Sequence, residues 1–336
     1  MHQYHYQVFK EIQNKQNVFL LNGPSITGLQ DKIHSLKEKD IIYWGVNNVE
    51  GIENNILSRI DKNISIYYIE SLEECTARID DIMEFLERDD SKLLITGVNF
   101  IHNTPALKCY LPKNSHKILI VEEFVKTSNM IRNSFGSMLN LFFNIVYFSK
   151  NIKPVFVFGM DGLSNQNIPN HDTHAFMETY RNKLPRDNIQ IQHFGKLKSH
   201  KQTIYEDMAC FDKKTMPYFK ERNKRVFLNR EFKIYNANEG SFYKSLPKIS
   251  QKKAIDLILG NINQGCEQIQ YYKPSLKESF DIYNKIIDFV SNYNISERLY
   301  YENSIQIKNT HELLLANKRA KYGVKKARVW LKKIFS

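Results

Sequence analysis

Val18-Phe19-Leu20-Leu21-Asn22-Gly23-Pro24-Ser25 carries the clearest structural signal in this chain. Its apolar half has no alternation, as expected of a parallel strand buried on both faces. The second half breaks at Gly23-Pro24, and Thr27-Gly28-Leu29-Gln30 then has the form of a capping box. In such a box Thr27 accepts from an early helical N–H and Gln30 reaches back. Strand, glycine-containing turn and helix start would aim backbone N–H groups and a helix dipole at one point, the arrangement of an anion site and most often of a phosphate site. An ordinary strand-to-helix turn has the same local sequence, so the surrounding elements must discriminate.

Outward from this stretch the same pattern recurs. Apolar runs at residues 41–46, 64–69, 93–97, 118–121 and 155–159 read as further buried strands, with a last one at 233–236. Helical spacing fills 71–88, and 134–147 is apolar nearly all round, as a helix buried against a sheet would be. Residues 6–16 read as a short polar lead-in helix. Strands alternating with helices predict an α/β chain with a Rossmann-like open, mostly parallel sheet. In such sheets ligands bind beyond the carboxyl ends of the strands, where the strand order switches. The residues just after the strands are Asn22 to Ser25, Asn47-Asn48, Gly97 to Asn99, Glu122-Glu123 and Gly159-Met160-Asp161-Gly162, a recurrence of small, amide and acidic groups suited to a polar ligand.

Composition sets the outer limits. With 336 residues, 42% of them apolar, the chain is long enough for a sizeable core and an appendage. Its 48 basic against 36 acidic residues leave a formal charge of +12, which favours anionic partners: nucleotides, nucleic acid or anionic lipid. Cys75, Cys109, Cys210 and Cys266 have no CxxC spacing, so neither a zinc site nor a disulfide framework is suggested and a cytoplasmic location is expected. The first residues lack the features of a signal peptide, and no apolar run is long enough to span a bilayer.

Residues 1–250 are expected to form the Rossmann-like domain and 251–336 an appended helical C-terminal region with a break at Pro274. Within the first, residues 162–203 have little periodicity and carry His171, His174, His193 and His200, which reads as an active-site lid. A helix resumes near Thr203 and should end before Pro217. At the far end, 311–336 would form a basic amphipathic helix, with apolar Leu313, Ala316, Ala320, Val324, Ala327, Leu331 and Ile334 on one face. Such a helix either lies on an anionic membrane, as a peripheral attachment, or docks on its own domain.

Several common chemistries are excluded by missing motifs. There is no Walker A, GxGxxG, HExxH or GxSxG, which removes P-loop phosphotransfer, dinucleotide cofactors and the commonest zinc-protease and serine-hydrolase readings. His171-Asp172-Thr173-His174 offers imidazole and carboxylate donors for a metal, or a general base titrating near neutral pH, with His200 a second candidate for the base. Arg132, ahead of Ser134 and Gly136 at the entry to the buried helix, would add a guanidinium fork to a helix start able to receive a carboxylate or phosphate. An N-cap by Asn133 or Ser134 alone explains the same residues.

Asn22-Gly23-Pro24-Ser25, Asn47-Asn48, Arg132-Asn133-Ser134-Phe135-Gly136 and Gly159-Met160-Asp161 stand in the order seen in bacterial sialyltransferases of the lipooligosaccharide type, which the chain resembles over roughly residues 17–250. Asp172-Thr173-His174-Ala175, residues 205–219 and Tyr235-Asn236-Ala237-Asn238-Glu239-Gly240 are similar to the related motility accessory factor and 6-hydroxymethylpterin pyrophosphokinase-like proteins. The resemblance implies a single Rossmann-like domain with a lid that transfers sialic acid or a related nonulosonic acid from a CMP-activated donor. It places the donor nucleotide at Asn22, Gly23, Pro24, Ser25, Asn47 and Asn48, with Gly159 and Asp161 in the same cofactor-binding set. Ser134 and Gly136 would face the donor phosphate or sugar carboxylate. Phe135 stands where that family has a serine, and the lid lacks its His-Ser-Lys run, so the base stays open between His174 and His200.

The expected function is therefore a glycosyltransferase that needs no cofactor beyond its nucleotide-sugar donor, with a glycan or protein acceptor. Two alternatives remain. One is pyrophosphoryl transfer from ATP to a pterin alcohol, with a divalent metal held by Asp161 and Glu122 or Glu123. The other is a non-enzymatic protein binding membrane or nucleic acid, the latter less expected because no RNA-binding motif is present.

Overall fold

The computed structural model describes residues 2–70, 78–103, 111–124, 134–146, 153–164, 174–176, 190–193, 196–217, 219, 233–261 and 271–292. At its centre lies β1 (Gln16–Leu20), buried at all five positions. It pairs in parallel with β2 (Ile41–Val46) on one side and β6 (Val155–Phe158) on the other. Beyond them lie β3 (Ile66–Tyr68), β4 (Leu93–Thr96), β5 (Ile118–Ile120) and β9 (Ile234–Asn236). The sheet has seven strands in the order β5-β4-β3-β2-β1-β6-β9, every pair parallel. A separate antiparallel hairpin joins β7 (Gln190–His193) to β8 (Lys196–Ser199).

Apolar residues on both faces of the strands explain the doubly covered sheet. Phe19, Trp44, Tyr68 and Val157 enter one core with Val8 and Ile12 of α1 (Gln3–Asn14) and Leu139 and Phe142 of α7 (Ser134–Val146). Val18, Leu20, Tyr43, Tyr67 and Phe158 enter the other, with α2 (Val49–Asn55) and α3 (Ile79–Glu87). Further helices are α4 (Val98–Asn103), α5 (Leu111–Asn114) and α6 (Val121–Phe124) around β4 and β5, and α8 (His200–Cys210) after the hairpin. Each large side chain so buried contributes about 1.5–3 kcal/mol. Trp44 stacks on Phe19 with ring centroids 5.0 Å apart, and its indole N–H donates to Asn17 Oδ1 at 2.9 Å. α1 is amphipathic where a polar helix was expected: Tyr4, His5, Val8, Phe9, Glu11 and Ile12 are buried.

The segment after β1 differs from the expected capped α-helix. Two 3₁₀ turns, Pro24–Leu29 and Ile33–Leu36, replace it. Thr27 does not cap: its hydroxyl donates to Pro24 O at 3.0 Å, while the Gln30 amide reaches Asn55 O at 3.2 Å. With Pro24 opening the turn and Gly28 inside it, the backbone closes i→i+3 bonds, Ile26 N–H to Gly23 O and Gln30 N–H to Thr27 O.

The two described C-terminal helices, α9 (Gln251–Asn261) and α10 (Leu276–Asn292), share the core with the α2–α3 face. Ala254, Ile255, Ile258 and Val290 are buried there, and Ser115 Oγ donates to Ser279 O at 2.6 Å. Residues 271–275 run between these helices without helical structure, in agreement with the Pro274 break. The basic stretch 311–336 lies outside the described residues. Among the described residues no helix is long and apolar enough to cross a membrane.

Candidate functional site

The strand order reverses between β1 and β6, so the crevice beyond their carboxyl ends is the place where a ligand is expected. Two of the sequence motifs meet there. Gly23 N–H donates to Gly159 O at 2.9 Å, and both Ser25 N–H (3.2 Å) and Ser25 Oγ (2.9 Å) donate to Asp161 Oδ2. The other oxygen of the Asp161 carboxylate accepts from Asn238 Nδ2 at 2.5 Å, and its backbone carbonyl accepts from Phe242 N–H at 2.7 Å. Asp161 thus joins the loops after β1, β6 and β9. Burial raises its pKa, against the lowering effect of the Ser25 bonds.

The glycines make this junction possible. Gly159 has φ +73°, and a Cβ there would lie 2.1 Å from Leu21 O. Pro24 has no N–H, Ile26 N–H is used by Gly23 O, and Ser25 N–H is used by Asp161. The donors expected to await a phosphate at this turn are therefore engaged within the protein, and the carboxylate occupies the place expected for the anion. The polar groups left for a ligand come from the neighbouring strand.

At the end of β2, Asn47 sits in the left-handed region at φ +54°, held by its N–H to Tyr68 O (3.2 Å) and by the Tyr67 hydroxyl on its carbonyl (2.8 Å). Such a conformation costs on the order of 1 kcal/mol for asparagine. The next residue, Asn48, is fully buried, and its Oδ1 accepts from Arg78 Nη1 at 3.0 Å. Arg78 is itself fully buried, 3.8 Å from the Asp81 carboxylate. Asn22 Nδ2 donates to Val46 O at 2.6 Å, which ties the β1 loop to β2.

Residues 174–176 lie over this group. Ala175 N–H donates to Asn22 O at 2.7 Å, Ala175 is buried, and Phe176 packs on the core beside α2. His174 is partly exposed; desolvation, with the Arg78 guanidinium adding repulsion, lowers its pKa to about 4. It is therefore uncharged at neutral pH, and the same burial and repulsion weaken it as a proton acceptor in this arrangement.

Among the expected site residues, Asn22, Gly23, Pro24, Ser25, Asn47, Asn48, Gly159, Asp161 and His174 converge on the β2–β1–β6 ends. Ser134 and Gly136 head α7, whose packing is with α1 on the opposite face of the sheet from α2. His200 opens α8 after the β7–β8 hairpin; its side chain, with Arg132, His171 and most of the expected lid, lies outside the described residues. Arg78 and Phe176 were missed from sequence; their roles depend on contacts with distant strands, and nothing local marks them.

The pairing of Asp161 with Glu122 or Glu123 around one metal is ruled out by topology. Four strands separate β5 from β6, which puts the residues following them roughly 24 Å apart. Among the described residues no three His, Cys, Asp or Glu side chains gather as a metal site. Glu122 instead accepts from Val98 N–H with both oxygens at 3.1 Å, capping α4. Compared with family models, curated proteins and solved structures, the chain matches none.

Proposed function

We propose that this protein is a glycosyltransferase that takes sialic acid or a related nonulosonic acid from a CMP-activated donor. The observation that carries the proposal is the convergence of Asn22, Asn47, Asn48 and His174 at the switch point of a parallel sheet, the usual place for a nucleotide in such folds. The asparagine amides supply neutral donors and acceptors suited to a pyrimidine, a ribose and a single phosphate diester, which bears one negative charge. The Asp161 carboxylate, already inside the β1 turn, disfavours a multiply charged phosphate chain at that point.

In the reaction the acceptor hydroxyl oxygen forms a bond to the anomeric carbon as the carbon–oxygen bond to the donor phosphate breaks. CMP leaves with the bonding electrons, and the hydroxyl proton passes to a base. His174 is assigned that role because it is the histidine next to Ala175, whose N–H is bonded to Asn22 O. Acceptors are glycans or protein hydroxyls, and attachment to an anionic membrane through 311–336 belongs to the same proposal.

CMP should raise the melting temperature, whereas ATP with magnesium and an oligonucleotide should not. No response to millimolar CMP would reject the reading. With a CMP-sialic acid donor, His174→Ala should lose about 100-fold or more in turnover and still bind CMP; full activity would move the base elsewhere.

A further inference from the structure

Two unrelated irregularities meet above α2. Asn48 is fully buried, its Oδ1 is taken by Arg78, and its Nδ2 has no hydrogen-bond partner among the described residues. Phe176, a bulky residue, sits at φ +53°, a region that such side chains rarely enter. Both press on Gly51: a Cβ there would lie 3.0 Å from Asn48 Nδ2 and 3.0 Å from Phe176 Cβ. The glycine makes room for the amide and the aromatic residue side by side.

We propose that residues 174–176 form a strap that keeps the Asn48 donor covered, and that a ligand reaches it only when Phe176 leaves Gly51. The closed state is held by the Ala175 N–H bond to Asn22 O and by the packing of Phe176 on the core. Against it stand the unsatisfied amide and the left-handed phenylalanine. A ligand oxygen able to accept from Asn48 Nδ2 would remove the first penalty, and departure of the strap would remove the second. Closure in this form and ligand binding therefore compete, and the free protein binds with only the fraction of molecules whose strap is open. His174 serves as base once the segment settles over the bound donor with Phe176 away from Gly51. Because Arg78 fixes the amide with its oxygen turned inward, the group recognised is a hydrogen-bond acceptor: a base carbonyl, a phosphate or a carboxylate oxygen. Only the identity of that ligand as a nucleotide rests on the proposed function.

Phe176→Gly accepts the left-handed backbone and removes the cover. Hydrogen exchange at the Ala175 amide, without ligand, should quicken by about tenfold or more, and CMP should bind about fivefold or more tightly. Unchanged exchange, or CMP affinity equal to or weaker than that of the parent, would overturn the strap. If neither protein binds CMP, the nucleotide reading fails and the exchange rate alone judges the strap. Should Phe176→Gly not fold, Gly51→Ala, whose methyl crowds Phe176, is expected to quicken the same exchange, and an unchanged rate there is equally fatal.

Discussion

Gly23→Ala tests the junction between β1 and β6 directly. Gly23 has φ −66° and ψ 153°, extended backbone that alanine adopts without strain, so any cost must come from contacts. The added Cβ would lie 2.0 Å from Asp161 Oδ2 and 2.4 Å from Gly159 O. Swinging the carboxylate aside would break its bonds from Ser25 N–H, Ser25 Oγ and Asn238 Nδ2. Bonds to a charged group are worth about 1.5–3 kcal/mol each, and water recovers part of that. The carbonyl of Gly159 has no such escape, since it accepts Gly23 N–H and its own residue is wedged against Leu21 O. The expected loss is roughly 4 kcal/mol or more, a large share of the 5–15 kcal/mol typical of whole proteins. In urea unfolding followed by circular dichroism, at a slope of about 3 kcal/mol per molar, the midpoint should fall by more than about 1 M. Gly260→Ala is the control: nothing lies within 4 Å of a Cβ there, and helix propensity should give a gain of up to about 1 kcal/mol. A Gly23→Ala midpoint within about 0.3 M of the parent, about 1 kcal/mol at that slope, would refute the argument.

Acid should weaken the fold through a histidine cluster remote from the site. Burial lowers the pKa of His5 to about 3 and those of His2 and His116 to about 4, and the His2 and His5 rings lie 4.2 Å apart. With folded values below the unfolded 6.5, stability is complete above pH 6.5 and falls as pH drops toward 4. His5 alone supplies a slope of about 1.4 kcal/mol per pH unit in that window. Urea midpoints at pH 7 and pH 5 should differ less in His5→Phe than in the parent, and an unchanged difference would refute this. Asn47→Gly should keep the stability or raise it, by about 1 kcal/mol at most in urea unfolding, because glycine takes φ +54° freely. The same variant should weaken CMP binding by about tenfold, and unimpaired binding would remove Asn47 from the site.

Most of the sheet is legible in the chain, because a strand buried on both faces leaves an uninterrupted apolar run. Val18-Phe19-Leu20 and Val155-Phe156-Val157-Phe158 each send alternate side chains into two cores. The β7–β8 hairpin had a usable sign in Gln190-Ile191-Gln192-His193, where polar residues flank a lone isoleucine before Phe194-Gly195. The turn after β1 was misread because a capping box specifies a helix only when the chain beyond it is free to wind. Here Gln251 of α9 donates to Ser25 O at 2.7 Å, a tertiary contact with no local trace. For the site, strand-end asparagines and Asp161 could be named from position alone. The internal use of the turn's donors by Asp161, and the burial of Arg78 behind Asn48, emerge only when distant segments are brought together.

The central place of β1 has a consequence for how the protein is made. Its partners on one side, β2 to β5, leave the ribosome directly after it, whereas β6 on its other side follows only after the fifth strand and α7. Gln16 at the start of β1 bonds to Pro154 O, 138 residues further along. Until that length has been synthesised, one flank of this buried strand presents unpaired amides and carbonyls, a template for another nascent chain. The candidate crevice and an open edge of the incomplete protein are therefore the same seam, closed when β6 arrives.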